Sequence, residues 1–467
     1  MSENSVKNHY ANLVELKFQL YNSLFLTLPL DAVEQTGLLL PLLEESSHKG
    51  LDDGLSPIEI IDKFFNTHHL EKNEKKQAQF LFKIIQYVER QVVLVDALED
   101  AAYAEIHRTD ESNKLRQLSE QAAAEGKQKE LKQVLASFGA RVILTAHPTQ
   151  FYPGPVLAII SDLGEAIKAN DIGLAREILQ QLGSTPFIQK EKPTPLIEAN
   201  QLSWYLGNIF YHAIGEILDY LHDYQNFHDT SLDQLLSIGF WPGGDRDGNP
   251  FVTTKITKQV ADNLRQRIIE CYYGEVRELR RRLTFDGVSN RIEDIEKKLH
   301  QEIIHEVRSC FSSSLELISE LDSIRKILEE NYQGIFVDRL LSFKRKVSAF
   351  GFHFASIDIR QDSRIITRTL EHICDTHNGI LPAGFSEFDE HKKITTLLSI
   401  SKSITTEGLI DPIAIDTFES LISIREIQSV NGERACHRYI VSNCRGPLDV
   451  ARLVALFSLT GWRLGDL

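Results

Sequence analysis

Four times along the chain, a short apolar run leads through a polar loop into the start of a helix, and this recurrence limits the possible folds strongly. The first unit is the run 142–144, which leads into His147 and Pro148. The later units lie at 238–250, 352–363 and 439–447. Parallel strands need long crossovers, usually helices, to reach their neighbours. The sequence therefore predicts a parallel sheet with helices outside it.

Residues that favour helix starts follow these loops. Thr253 or Thr254 is expected to cap the helix after the second run, and Ser363 the helix after the third. Pro447 suits the first turn of the helix after the fourth run. Val142 and its two apolar neighbours are expected to form a buried strand.

Helical periodicity dominates the rest of the chain. Helices are predicted at 75–108, 111–138, 201–224, 255–283, 291–309 and 313–331. Loops are predicted at 45–56, 183–196 and 378–390, where Gly, Pro, Ser and Asp gather. The expected fold is mainly α with a parallel β component, divided into an amino-terminal helical region at 1–139 and a strand-containing region at 140–467.

Charged side chains follow the predicted strands: His147, Asp245, Arg246, Asp247 and Arg360. Functional groups of parallel α/β folds collect at the carboxyl ends of the strands. Pro148 keeps the residue before it out of helical geometry, so the histidine is expected at a strand end. It is either a base at that end or an ordinary core histidine.

Two alternatives also remain for the other charged residues. An arginine such as Arg360 at a strand end suits a phosphate or carboxylate, but it could instead pair with Asp358 or Asp362 on its own strand. The loop 243–250 has the composition of a surface turn, yet it could also hold substrate or brace the site. We favour bracing, with Arg246 paired to carboxylates.

Charge and cysteine content disfavour several classes of protein. A net charge of −15 disfavours nucleic-acid binding, which requires a basic surface. The five cysteines are scattered without metal-ligand spacing, so disulfides and structural zinc are not expected. The first residues lack a signal-peptide pattern, and no apolar run is long enough to cross a bilayer. We expect a cytoplasmic protein that does not bind membranes.

Three segments resemble signature regions of the phosphoenolpyruvate carboxylase family, in the order in which that family carries them. They are LTAHPTQ at 144–150, GGDRDGNP at 243–250 and FGFHFASIDIRQDS at 350–363. Lys192 to Pro195 and the strand RYIVSN at 438–443, followed by Pro447 and Asp449, are also similar to family features. The resemblance is to the bacterial type and covers nearly the whole chain.

The resemblance implies an activity and roles for particular residues. The family's enzymes join bicarbonate to phosphoenolpyruvate, giving oxaloacetate for the tricarboxylic acid cycle and phosphate, with Mg²⁺ or Mn²⁺ as cofactor. It implies that His147 is the catalytic base and that Arg360 binds substrate. The implied supporting residues of the active-site loop are Gly243, Gly244, Asp245, Arg246, Asp247 and Asn249. A homotetramer is implied for the full-length protein.

The resemblance also implies that the chain corresponds to the amino-terminal half of the family's longer proteins. The expected fold is then the first half of an elaborated (β/α)8 TIM-type barrel with long helical insertions. The family's metal-binding carboxylates would lie beyond Leu467, so no metal ligand is assigned here. Two hypotheses stay open: part of a carboxylase, or a catalytically incomplete fragment that serves as a binding or assembly module.

Overall fold

The structure is a computed structural model that describes residues 7, 10–26, 28, 36–68, 73–107, 112–145, 154–186, 193–225, 235–247, 249–305, 307, 309–463 and 465. Its described residues form two compact units. One unit draws on 1–120 and 148–192, and the other on 121–147 and 193–467. The boundary that we expect near residue 139 stays a prediction.

The first unit is helical. It contains a π-helical turn (Ala11–Glu15), α1 (Leu16–Leu26), α2 (Thr36–Asp52), α3 (Pro57–Thr67), α4 (Glu74–His107), α7 (Gly154–Lys168) and α8 (Ile172–Ser184). Leu94 and Leu98 of α4 are buried in the same core as Ile159 and Leu163 of α7. Each such buried side chain contributes about 1.5 to 3 kcal/mol through removal of apolar surface from water.

The second unit contains helices and all the described strands. The helix α5 (Ser112–Ala124) begins in the first set of residues and ends in the second, and α6 (Gln128–Ser137) follows it. The remaining α-helices and strands are β1 (Ala140–Leu144), α9 (Pro195–Tyr205), α10 (Tyr211–Gln225), β2 (Leu236–Phe240), α11 (Thr254–Arg280), α12 (Ser289–Ile303), α13 (Ser314–Asn331), α14 (Val337–Phe350), β3 (Ser356–Asp362), α15 (Ser363–Thr376), α16 (Glu390–Leu398), α17 (Pro412–Asn431), β4 (Arg438–Ser442) and α18 (Pro447–Leu459).

The strands form one parallel sheet in the order β1, β2, β3, β4. Ala140 lies beside Leu236, Gly239 beside Ser356, and Asp358 beside Arg438. Since the strands are parallel and neighbours in sequence order, the loops after them leave from the same edge. The predicted mainly α fold with a parallel β component is confirmed, and closure into a (β/α)8 barrel stays a prediction.

Several local predictions hold. Thr253 caps α11, because its side chain accepts a hydrogen bond from the Ile256 N–H. Pro447 is the first residue of α18. The long helix expected at 75–108 is present as α4.

Among the described helices, none combines the length and apolar character needed to cross a membrane. All five cysteines lie in the described part of the chain as free thiols.

Three local predictions are wrong. Val142 and Ile143 are not buried: they are 43% and 42% exposed, because β1 is the edge strand of the described sheet. Asp362, rather than Ser363, caps α15, since its carboxylate accepts the Arg364 N–H. The loop expected at 45–56 is helical as far as residue 52, because α2 continues through its internal proline.

Candidate active site

The loop after β2 lies against the end of β3 through backbone hydrogen bonds. The Arg360 N–H donates to the Gly244 carbonyl at 3.0 Å, and the Arg246 N–H donates to the Arg360 carbonyl at 2.9 Å. Asp245 thus lies beside Arg360 as in a parallel sheet. The loop continues the sheet by one residue and places its aspartates next to the arginine.

The Arg360 guanidinium is held by two of these carboxylates. Its Nη1 donates to Asp245 at 3.1 and 2.9 Å, and its Nη2 lies 2.7 Å from Asp247 Oδ2. The side chain remains 27% exposed. Side chains at alternate positions share one face of a strand, so Asp358, Arg360 and Asp362 lie on the same face of β3. Within the described structure, the arginine nevertheless pairs with the loop and with neither of the strand's own aspartates.

Asp358 belongs to a separate buried network that the sequence analysis did not identify. Its side chain is 2% exposed and pairs with Arg141 of β1 at 2.5 Å. Its other oxygen accepts the indole N–H of Trp241 at 3.2 Å. The Trp241 ring in turn lies under Arg360, 5.3 Å from the guanidinium carbon. The position of Trp241 directly after the second apolar run is the only sequence signal for its role.

Arg246 turns away from Arg360 and into the helices. Its side chain is 5% exposed and pairs with Asp416 of α17. The same carboxylate accepts the Thr254 N–H at 3.0 Å at the start of α11. Through Asp416, Arg246 thus joins the loop to α17 and to the start of α11. The sequence analysis expects such a pairing of Arg246 with carboxylates.

The other loop residues shape the turn. Gly243 has a φ of +79°, which a residue with a side chain rarely adopts. A Cβ on Gly244 would lie 2.3 Å from the Asp358 carbonyl oxygen, so only glycine fits against β3. Asn249 Oδ1 accepts the Phe251 N–H at 3.1 Å. These contacts restrict the backbone of the described loop residues.

The candidate base His147 lies outside the described residues, as does Gly248. The role of His147 and its proximity to Arg360 therefore stay predictions. The described part of the preceding strand ends next to β2, where the Trp241 N–H donates to the Leu144 carbonyl at 3.0 Å.

The described residues do not fit a site for Mg²⁺ or Mn²⁺. Among them, no three His, Cys, Asp or Glu side chains come together as metal ligands. Asp245 and Asp247 already hold Arg360. Asp362 accepts hydrogen bonds from the Arg364 side chain, from the Arg364 backbone N–H and from Asn443. These bonds keep the pKa of Asp362 well below its usual value. Each of these carboxylates is committed to a cation of the protein.

This arrangement can present one oriented cation to an anion. Arg360 is partly exposed and fixed on several sides, and a guanidinium binds phosphate or carboxylate oxygens in a planar, two-point geometry. An anion would have to share the guanidinium with Asp245 and Asp247.

Comparison with known proteins identifies relatives that match most of the chain. The sequence model of the family described as phosphoenolpyruvate carboxylase matches residues 67–309 and 287–465. Phosphoenolpyruvate carboxylase of Shewanella loihica is 25% identical over 387 residues, which cover 72% of this chain and 43% of the relative. The phosphoenolpyruvate carboxylase of Bradyrhizobium diazoefficiens is 27% identical over 381 residues, which cover 68% of this chain and 40% of the relative.

The phosphoenolpyruvate carboxylase of Aeromonas salmonicida is 27% identical over 368 residues, which cover 68% of this chain and 41% of the relative. The chain thus spans between 40% and 43% of the length of these curated relatives. Because the family model matches most of the chain, including the loop and strand that position Arg360, the chain belongs to the phosphoenolpyruvate carboxylase family.

Proposed function

We propose that this chain carries part of the active site of a phosphoenolpyruvate carboxylase. The reaction joins bicarbonate to phosphoenolpyruvate and yields oxaloacetate and phosphate. The observation that supports this most is the position of Arg360, held over Trp241 at the carboxyl end of a parallel sheet in a chain of this family. Anionic substrates need such an oriented cation.

Arg360 is proposed to bind the phosphoryl oxygens. In the first step, bicarbonate attacks the phosphoryl group of phosphoenolpyruvate, the bond to the enol oxygen breaks, and carboxyphosphate and the enolate of pyruvate form. The guanidinium offsets negative charge on the phosphoryl oxygens as they rearrange. Asp245 and Asp247 orient it and lower its net charge before substrate binds.

His147 is proposed as the general base. It takes the proton of the carboxyphosphate carboxyl group, so that the bond to phosphate breaks and CO₂ and phosphate are released. The enolate carbon then attacks CO₂ to give oxaloacetate. The described residues offer no fitting site for the family's Mg²⁺ or Mn²⁺.

The loop residues Gly243, Gly244, Asp245, Arg246, Asp247 and Asn249 are proposed to brace the site. The pairing of the buried Arg246 with the partly exposed Asp416, and the backbone hydrogen bonds to Arg360, support bracing over direct contact with substrate. Assembly as the first half of a (β/α)8 barrel, a homotetramer and a cytoplasmic location are further parts of the proposal.

A second candidate function is a binding or assembly module without carboxylase activity. The observation that favours it is that two carboxylates already pair with Arg360, in a chain that spans less than half of its relatives' length. The two candidates differ in one respect that can be measured: whether bound substrate is converted.

The test is oxaloacetate formation from phosphoenolpyruvate, bicarbonate and Mg²⁺, coupled to malate dehydrogenase. The 467-residue protein is assayed alone and mixed with the part of the Shewanella loihica relative that it does not cover. We expect activity in the mixture that His147→Asn abolishes. Activity that survives His147→Asn would overturn the assignment of the base. An inactive mixture would favour the binding module.

A further inference from the structure

The Trp241 ring lies against one face of Arg360, and a hydrogen bond at the edge of the ring sets its position. The indole N–H of Trp241 donates to Asp358 Oδ2 at 3.2 Å. The backbone is held as well, because the Trp241 N–H donates to the Leu144 carbonyl at 3.0 Å. With its backbone and its edge both held, the ring is restricted in rotation while its face meets the guanidinium.

The Asp358 carboxylate is itself held at both oxygens. Its side chain is 2% exposed, and Oδ1 accepts from Arg141 Nη2 at 2.5 Å while Oδ2 accepts from the indole. A buried carboxylate is costly without a partner, so the pairing with Arg141 offsets the burial of its charge. A hydrogen bond to an ionised acceptor is about twice as strong as one between neutral groups. Asp358 is thus a firm acceptor for the indole N–H.

Arg141 reaches Asp358 from β1, on the other side of β2. Gly239 of β2 lies beside its side chain, and a Cβ there would lie 2.8 Å from the arginine Nε. The missing side chain leaves room for the arginine to pass. A continuous series of contacts therefore runs from Arg141 through Asp358 and Trp241 to Arg360.

The ring holds a part of Arg360 that a bound anion would leave free. Asp245 and Asp247 pair with the guanidinium nitrogens, which are the donors that an anion would use. The Trp241 ring contacts the face of the guanidinium instead, so it does not compete with an anion. An anion that displaces the carboxylates therefore leaves the ring contact in place.

We propose that Asp358 and Arg141 are positioning residues for Arg360. They hold the Trp241 ring, and the ring keeps the guanidinium in the orientation in which its nitrogens meet an anion. Both residues act through the ring rather than on the substrate. This inference rests on the proposed role of Arg360 in binding phosphoenolpyruvate.

The first measurement is fluorine NMR of the 467-residue protein labelled with 5-fluorotryptophan. The chain has three tryptophans, and Trp241→Phe identifies the signal of Trp241. Arg360→Gln and Asp358→Asn should each shift that signal, because each removes a partner of the ring. Glu302→Gln is the matched control, since Glu302 is another buried carboxylate that pairs with an arginine, and it should leave the signal in place. An unshifted signal in Asp358→Asn would overturn the proposal.

The second measurement is a double-mutant cycle on the affinity for phosphoenolpyruvate, determined by calorimetry. In the otherwise unchanged protein, Asp358→Asn should weaken binding by about threefold to tenfold, because the ring loosens. In Arg360→Gln it should have no further effect, because a residue that acts through Arg360 loses its influence with it. Arg141→Lys, which keeps a cation beside Asp358, should weaken binding less than Arg141→Gln. Glu302→Gln should leave the affinity unchanged.

Trp241→Phe provides the same cycle if Asp358→Asn does not fold, because it removes the indole N–H and keeps an aromatic ring. Equal weakening with and without Arg360, or no weakening in either background, would overturn the positioning role. The proposed function fails separately if Arg360→Gln alone leaves the affinity unchanged. Both fail if the unsubstituted protein does not bind phosphoenolpyruvate.

Discussion

The guanidinium carbon of Arg360 lies 5.3 Å from the centre of the Trp241 ring, while its nitrogens hold Asp245 and Asp247. The ring supports one face of the guanidinium, and such contacts stabilise a cation by about 0.5 to 2 kcal/mol. The aspartates fix the orientation within the plane. Arg360 is thus fixed in orientation, and an anion that binds it, as we propose, would compete with two carboxylates.

Asp247→Asn should strengthen the binding of phosphoenolpyruvate. The substitution removes a carboxylate that lies 2.7 Å from Arg360 and competes with the substrate. We expect affinity to rise roughly threefold to tenfold, which corresponds to about 1 kcal/mol. Calorimetric titration measures it, with the exposed Glu330→Gln as the control. Weaker binding in Asp247→Asn would show that this carboxylate supports the substrate site.

Gly244→Ala should destabilise the protein. The new Cβ would lie 2.3 Å from the Asp358 carbonyl oxygen, so the loop or β3 must move. We expect a loss of about 1 to 3 kcal/mol in the free energy of unfolding. Gly274→Ala is the matched control in α11, where the Cβ meets nothing within 4 Å. It should add about 0.5 to 1 kcal/mol through helix propensity. Equal denaturation midpoints for the two variants would contradict this packing.

Arg246→Ala should lower stability if the loop braces the site. The change leaves Asp416 without its buried partner, at an expected cost of about 2 to 4 kcal/mol. Arg281→Ala, at an exposed pair, should change stability by less than about 0.5 kcal/mol. Thermal melting compares the two. An unchanged melting temperature in Arg246→Ala, with activity lost, would show that Arg246 acts on substrate instead.

His353 should make the protein less stable in acid. Its pKa in the folded protein is lowered to about 3, whereas an unfolded histidine has a pKa of about 6.5. Between these values the unfolded chain binds a proton that the folded protein excludes, so stability falls as the pH drops. The contribution is about 1.4 kcal/mol per pH unit.

In His353→Gln this contribution should vanish, so that stability falls less steeply between pH 6 and pH 4. Denaturant unfolding at several pH values measures the two slopes. Parallel slopes for the wild type and His353→Gln would mean that the buried ring accepts a proton in the folded protein.

Local patterns predicted the elements of the fold that depend on neighbours in sequence. The helix cap at Thr253 and the helix start at Pro447 follow from side-chain chemistry within one turn. The exposure of Val142 and Ile143 could not be predicted, because an apolar run looks the same in a central strand and in an edge strand.

The candidate site was only partly predictable for the same reason. Parallel strands bring their ends together, so Arg360 and the loop aspartates were expected at one edge. The partners themselves depend on distant residues: Asp416 for Arg246, and Asp358 for Arg141. Charge and spacing within a motif do not encode such pairs. The Arg141 side chain passes Gly239 of β2, where a Cβ would lie 2.8 Å from the arginine Nε, and this approach depends on the register of the strands.

The most direct test of the central claim is the affinity of the chain for phosphoenolpyruvate with and without Arg360. Calorimetry compares the wild type with Arg360→Gln, and Arg281→Gln is the control because Arg281 is exposed and pairs with Glu278. If Arg360 is the substrate's anion receptor, Arg360→Gln should weaken binding by about tenfold or more while the control is unaffected. Equal affinities in Arg360→Gln and the control would contradict the assignment of this site.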